Sequence, residues 1–465
     1  MAGLEHDPKT PLLLASSDAA TSVNRSASTP SLVPDRRARK TGLAVVATVL
    51  FLDSMLLSCV VPILPAYLSK AGVSEWQIAI LFSAKAAVQV VTTPFVPPVV
   101  RRFGTQAVLM GGTMVLIASS VGFAFGTTFA GLLAARAVQG IGSACAGCAG
   151  LTQVAQMFPE DELRGPSMAT ATMGLGVGVI LGPPFGGVVY AHAGKQWPFF
   201  ILALLGMCAV TVQGLLLSNP GLRRQIRRQA AESQRMTSEH PPPSIMTLLK
   251  DRNIRRCAVG LVAQNLTISA VEPTFPLWAE DQFGSSPQTV GLVFLAASLS
   301  FLLGTAVAGV IGLRVGRKAV STGSLSLSAV GVAFLVWPGQ RSNILQSIPA
   351  LIAMGAGMGG CEASTNPILG AIAGNCFPQA ESTVFALADM CFSTGFVIGP
   401  LLVTALFANH VAIEYVCAAG FMLTLAAAGY VATIDNRVCT EIDEESKEGR
   451  RVSLYEDEDD SFELS

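Results

Sequence analysis

Six ionisable side chains lie inside stretches that are otherwise apolar: Asp53, Lys85, Arg136, Glu272, Glu362 and Asp389. A charge in such a setting is costly and is kept where it meets a partner, a polar cavity or a ligand, so each is a functional-site candidate. Four acids against two bases leave the set net negative when all are ionised. A negative cavity attracts a cation, and burial with like-charge repulsion brings protonation of such carboxylates within reach of neutral or mildly acidic pH. Cation and proton then compete for the same groups, which is the chemistry an exchanger of the two requires. Asp53 and Glu272 have no evident local base and read as cation ligands. Lys85 and Asp389 read equally as a structural ion pair, since either partner alone would be stranded in low dielectric, or as a gate. Arg136 reads as a scaffold or proton-coupling residue ahead of a substrate ligand. Glu362 reads as a proton site ahead of a group that merely faces a polar cavity. His192, His240 and His410 lie in or beside loops and read as surface groups.

The elements that position these charges follow from composition. With 51% hydrophobic and 13% charged residues in 465, the chain reads as an integral membrane protein. About 20 apolar residues in a helix cross a hydrocarbon core of ~30 Å. Twelve such runs are expected, near 43–68, 75–99, 104–126, 128–157, 165–191, 197–218, 255–279, 287–312, 318–337, 346–376, 382–408 and 411–434. An even number places both termini on one side. Arg36, Arg37, Arg39 and Lys40, then Arg101 and Arg102, then a central run from Arg223 to Arg256 carry the basic residues of the connections, so that side is expected to be cytoplasmic. The expected organisation is a disordered tail (1–41), a six-helix bundle (42–218), a basic linker (219–254) containing PPPS at Pro241 to Ser244, a second six-helix bundle (255–434) and an acidic tail (435–465).

The two halves repeat each other. GVILGPPFGG places Gly178, Gly182, Pro183, Gly186 and Gly187 in the fifth span, and GFVIGP places Gly395, Gly399 and Pro400 at the matching place in the eleventh. Small residues four apart let helix backbones approach, and proline frees a backbone position where a helix bends. Either string alone reads as plain packing, whereas the pair reads as conformational motifs of a pseudo-symmetric transporter. LLAARAVQGIG, which contains Arg136, resembles the R-x-x-Q-G-x-G signature of the major facilitator superfamily's fourth helix. GVIGLRVGRK, Gly309 to Lys318, resembles that superfamily's short cytoplasmic turn. The corresponding first-half string PPVVRRFG departs from it at Pro97 and Arg101.

A narrower resemblance rests on LDSMLLSCVVPILP around Asp53, LFSAKAAVQ (Leu81 to Gln89), VEPTFPLW (Val271 to Trp278), FLAASLSFLLGT (Phe294 to Thr305) and ALADMCFSTGFVIGP (Ala386 to Pro400). From Gly42 to Tyr430 the chain resembles the vesicular amine transporters, proton-coupled antiporters that load monoamines or acetylcholine into acidic vesicles. The resemblance implies that Asp53 meets the substrate amine and that Lys85 and Asp389 form an ion pair between the second and eleventh helices. It implies that Glu272 and Asn265 contact substrate from the seventh helix and that Glu362 couples protons. Phe82, Phe301, Phe392, Phe396 and Trp278 correspond to gates and cavity walls, whose aromatic faces suit a cation. Ser69 to Ser74 is a short turn where the family has a long glycosylated loop. Phe377 stands where a histidine is common, and Phe301 and Phe396 stand where tyrosines are common. The sequons at Asn24 and Asn265 fall in the tail and within a helix, so neither predicts a lumenal glycan, and Cys145 with Cys148 reads as helix packing.

The expected protein is therefore an all-α membrane protein of twelve helices in two pseudo-symmetric halves. The expected function is exchange of lumenal protons for a cytosolic, monoamine-like organic cation, in a vesicular, endosomal or vacuolar membrane. The alternative is a proton-coupled multidrug or polyamine exporter at the plasma or vacuolar membrane. A transport-inactive receptor on the same fold would have little reason to keep such costly charges. No nucleophile arrangement, phosphate-binding loop or metal cluster suggests an enzyme, a cofactor or a metal, and no nucleic-acid partner is expected. The bilayer, protons and a small organic cation are the expected partners of a monomer. DPKTPLLL (Asp7 to Leu14) and RRVS (Arg450 to Ser453) suggest a sorting adaptor and a basophilic kinase at the tails.

Overall fold

Hydrocarbon offers no hydrogen-bond partners, so a chain that crosses it satisfies its backbone internally, as helix. The computed structural model follows that requirement and describes residues 36–158, 161–218, 243–335, 343–376, 381–409 and 413–435. Among the described residues there are twelve long helices and no strand: α1 (Arg36–Lys70), α2 (Glu75–Phe103), α3 (Thr105–Phe125), α4 (Phe129–Met157), α5 (Asp161–Ala193), α6 (Gln196–Ser218), α7 (Arg252–Phe283), α8 (Pro287–Val315), α9 (Arg317–Leu335), α10 (Ile348–Cys376), α11 (Glu381–Ala408) and α12 (Ile413–Ala432). Eleven of them are each long and apolar enough to cross a membrane. The other is α7, where Arg255, Arg256, Gln264, Asn265 and Glu272 dilute the apolar content. Its 32 residues still exceed the length a bilayer demands.

Side-chain caps start several helices where the apolar runs begin. Ser74 and Gln77 form a reciprocal capping box at α2, Thr128 accepts from the Gly131 amide at 3.1 Å before α4, and Asp251 accepts from the Asn253 and Ile254 amides at 2.8 and 2.9 Å before α7. The Asp251 cap starts α7 inside the expected linker, which also holds the short helix Ile245–Leu248, and α1 is already helical at Arg36 within the expected tail. Polar residues can continue a helix beyond the hydrocarbon, so the edge of the apolar run does not mark the edge of the helix. The turns between α2 and α3 and between α8 and α9 match: Gly104 (φ 87°) and Gly316 (φ 96°) each adopt a left-handed conformation that favours glycine. The first of these turns keeps the backbone geometry although Pro97 and Arg101 depart from the superfamily pattern. Residues 1–35, 219–242 and 436–465 of the expected tails and linker, with DPKTPLLL, RRVS, Pro241 and Pro242 of PPPS, Phe377, His240, His410 and the Asn24 sequon, lie outside the described residues.

The halves repeat in packing. α1 lies along α5 and α7 along α11, while contacts between the halves are made chiefly by α2 with α11 and by α5 with α8. The glycine strings explain these approaches. A Cβ on Gly178 would stand 2.9 Å from Ser54 Cβ, and one on Gly182 would stand 2.9 Å from the Cys59 amide, so α5 touches α1 backbone to backbone. In the second half a Cβ on Gly395 would stand 2.6 Å from the Leu266 amide, and one on Gly399 2.9 Å from that of Ala270. A serine crosses each contact: Ser58 donates to the Gly178 carbonyl at 3.2 Å and Ser269 to the Gly395 carbonyl at 2.9 Å. Gly186 also faces Cys59 of α1, whereas Gly187 and Pro183 pack on α8, where they meet Pro287 and Gly291. Pro400 continues inside α11. Beyond α5, Lys195 ties three helix ends, since Nζ donates to the Gly126 carbonyl and lies 4.5 Å from the Tyr67 ring centroid.

Candidate functional site

The R-x-x-Q-G-x-G string of α4 builds one wall of the site. Spacing of three and seven places Arg136, Gln139 and Ser143 along one face. Gly140 seats α2: a Cβ there would meet the Lys85 carbonyl and stand 3.1 Å from the Gln89 amide. Gly142 seats α3, with Leu116 Cδ2 2.9 Å from its missing Cβ. Arg136 therefore lies against the Lys85 region of α2. Its guanidinium is 1% exposed, donates to Gln139 Oε1 at 2.8 Å and lies 5.5 Å from the Phe82 ring centroid, while its Nε has no partner. Ser143, one face-turn further, donates to Asp53 Oδ1 of α1, which is half-buried. A hydroxyl bond to an ionised oxygen is charge-assisted and fixes which oxygen remains free.

Five of the six charges form one electrostatic group. Lys85 interacts with Asp53, Asp389, Arg136 and Glu272, and Arg136 interacts with Glu272 and Asp53. The members come from α1, α2, α4, α7 and α11, so both halves contribute. Three acids against two bases keep the group net negative when all are ionised. Among the described residues no three His, Cys, Asp or Glu converge tightly enough to hold a metal ion.

The expected partners Lys85 and Asp389 interact electrostatically in this structure. The two are not in ion-pairing contact; Asp389 Oδ1 accepts from Gln89 Nε2 at 2.8 Å and Oδ2 from Thr93 Oγ1 at 2.9 Å. Gln89 and Thr93 lie four and eight residues beyond Lys85 on the same face of α2, so the carboxylate is seated further along that helix. Lys85 itself is 3% exposed.

Glu362 stands apart from this group. Its carboxyl on α10 faces Asn265 of α7, a side chain 1% exposed whose Nδ2 donates to the Leu261 carbonyl at 2.8 Å and whose Oδ1 has no partner. Asn265 and Glu272 are seven residues apart and share a face of α7, which connects Glu362 to the central group. Burial of Asn265 also leaves no room for a glycan at its sequon.

The aromatic candidates divide. Phe82 lies beneath Arg136, and Phe392 and Phe396 stack with centroids 4.5 Å apart, on the face of α11 that carries Asp389. Phe301 is buried on α8, whose backbone there meets Gly359 of α10. Trp278 is placed elsewhere. It packs on Phe275 and Phe283, with centroids 5.7 and 5.2 Å away, and lines a side cavity of ≈ 270 Å³ between α7, α9, α11 and α12. Six residues separate it from Glu272, about 240° around the helix, which turns it away from the acids. Sequence reasoning does not single out Ser143, Gln89 and Thr93, whose only signal is helical spacing from Arg136 and Lys85, and it meets Gln139 only as a member of the R-x-x-Q-G-x-G string. Cys145 packs on α3, its Cβ 2.7 Å from where a Cβ of Gly112 would stand.

The family model described as Major Facilitator Superfamily matches residues 46–278 and 257–453. The synaptic vesicular amine transporters of Mus musculus and Homo sapiens are each 35% identical over 324 residues, 70% of this chain and 60% of theirs. The vesicular acetylcholine transporter of Drosophila melanogaster is 28% identical over 398 residues, 78% of this chain and 66% of that protein. The chain thus matches 60% of the length of the amine transporters named above and is vesicular-amine-transporter-like over that part. Among solved structures, the human organic anion transporter MFSD10 (TETRAN) superposes with a TM-score of 0.61 at 17% identity, covering 84% of this chain and 99% of that one, a likeness of fold.

Proposed function

Given that this chain belongs to the Major Facilitator Superfamily, we propose that it is a proton-coupled antiporter that moves a cationic, monoamine-like organic amine from the cytosol into an acidic compartment. The observation that carries this reading is the electrostatic group of Asp53, Lys85, Arg136, Glu272 and Asp389, drawn from both halves and richer in acid than in base. An ammonium is a small charge on an apolar body. Asp53, oriented by Ser143, supplies the counter-charge, Glu272 a second one from the opposite half, and Phe82, Phe392 and Phe396 the apolar and π surface. Asn265 is the polar contact beside Glu272. The names of the similar amine transporters support the substrate class.

In this reading the two halves rock about the site, exposing it to one side and then the other. Protons from the acidic side neutralise Glu362 and Asp389. The electrostatic balance around Lys85 and Arg136 changes, the amine held by Asp53 and Glu272 is released, and the emptied protein returns. Both termini lie in the cytosol and the compartment is vesicular, endosomal or vacuolar.

The test is uptake of tritiated serotonin by purified full-length protein in proteoliposomes with an acidic interior. Uptake is expected to follow the gradient, to collapse with nigericin, and to be lost in Asp53→Asn. Uptake unchanged by nigericin removes proton coupling; full activity of Asp53→Asn removes the amine anchor. Efficient transport of varied lipophilic cations or polyamines with no monoamine preference would favour the exporter reading.

A further inference from the structure

Lys85, Gln89 and Thr93 form a ladder on one face of α2, with steps of about 6 Å and a total length of about 12 Å. α11 of the other half presents a single carboxylate to it, Asp389, and both of its oxygens rest on the two neutral rungs, at 2.8 Å from Gln89 and 2.9 Å from Thr93. The third rung, Lys85, interacts with Asp389 electrostatically without touching it. The antiparallel register of α2 and α11 is marked a second time by Ser83, which donates to the Val397 carbonyl at 2.9 Å. Two buried atoms beside this contact have no partner: Gln89 Oε1 and the Ser393 hydroxyl, one turn from Asp389 on α11.

The rungs differ in chemistry. A lysine ammonium only donates, so it serves an ionised carboxylate and has nothing to offer the hydroxyl of a protonated one. A glutamine amide and a threonine hydroxyl each donate and accept. When Asp389 takes a proton, its new O–H requires an acceptor, and the unpartnered Gln89 Oε1 supplies one after the amide rotates. We propose that Gln89 and Thr93 form a second seat for Asp389 that holds it in either protonation state, whereas Lys85 is its seat only when ionised. Asp389 gains its proton from water of the acidic compartment while on the neutral rungs and carries it there. On losing the proton it steps one turn along α2 to Lys85 as the halves rock. Gln89 and Thr93 are positioning residues in this cycle. The titratable groups facing Asp389 are Lys85 on α2, Asp53 on α1, Cys148 on α4 and Cys391 on its own helix. This inference rests on the proposed proton coupling and adds the residues through which Asp389 performs it.

Two measurements on purified full-length protein test it. In pH-difference infrared spectra, the carboxylic C=O band that Asp389→Asn removes is expected to shift in Gln89→Leu and again in Thr93→Val. No shift in either variant overturns the seat, whatever the substrate proves to be. In proteoliposomes the same variants are expected to lower gradient-driven serotonin uptake at least tenfold while leaving serotonin counterflow without a gradient within twofold, and Thr93→Ser is expected to restore uptake. Equal loss of uptake and counterflow would assign the two residues to structure alone and overturn the proposal. Wild-type protein without gradient-driven uptake would refute the antiporter reading, and the infrared result then decides the seat by itself.

Discussion

Removing the hydroxyl of Ser143 isolates the orientation of Asp53 from its charge. In Ser143→Ala the carboxylate loses the one side-chain donor that holds it, while the helix contact at Gly140 is untouched. Hydrogen bonds to charged groups contribute about 1.5–3 kcal/mol. Asp53 is half-buried rather than enclosed, so water replaces part of the lost bond and the lower bound applies. About 1.5 kcal/mol corresponds to roughly tenfold weaker amine binding. Equilibrium binding of tritiated serotonin to purified protein reads this directly, with thermal unfolding as a control that is expected to change little. The decisive arm is the double variant: Ser143→Ala is expected to add nothing on an Asp53→Asn background, because the two act through one bond. A full tenfold loss on that background, or unchanged affinity in the single variant, would refute the reasoning.

Gly395→Ala is expected to lower the unfolding temperature and transport together, since its Cβ would stand 2.6 Å from the Leu266 amide and overpacking costs about 1–3 kcal/mol; scanning fluorimetry and uptake check it. Trp278→Ala is expected to leave the affinity for serotonin unchanged but to destabilise the protein by about 3 kcal/mol, because the ring lines the side cavity and packs on Phe275 and Phe283. Lys195, between α5 and α6, has its ammonium held below the usual 10.5 by burial. The folded state therefore releases that proton more readily than the unfolded chain, so this group's contribution to stability rises as pH climbs from the lowered value towards 10.5. Lys195→Met is expected to flatten that rise in unfolding temperatures measured from pH 8 to pH 10.

The twelve long helices of the described residues are legible in the sequence because a hydrocarbon slab imposes one length on every crossing. α7 is the instructive member: it reads as an apolar run over 255–279 like the others, yet its polar residues keep it short of the apolar content of the other eleven helices. Asp53, Lys85, Arg136, Glu272 and Asp389 stand out for the same reason: a charge among apolar residues is too costly to be incidental. Ser143, Gln89 and Thr93 do not stand out, because neutral polar groups can satisfy themselves on their own helix, as Ser54 and Thr48 do on the carbonyls four residues back. Which of them turns to a carboxylate depends on the packing of a second helix. Trp278 illustrates the converse, since an aromatic carries no charge penalty and its face of α7 decides its cavity. The pairing of Lys85 with Asp389 follows from the cost of a lone buried charge as well as from the resemblance, but neither fixes the register of α2 against α11, which seats Asp389 on Gln89 and Thr93.

Ser58 on Gly178 and Ser269 on Gly395 are the same joint built twice, once in each half. Two like bearings, one in each half, build no obvious sense of rotation into the machine. In the proposed antiporter such joints act as a lever rather than a pump, and the direction of exchange belongs to the gradients placed across it. Steepen the amine gradient and flatten the proton gradient, and the same joints are expected to carry amine back out while driving protons uphill.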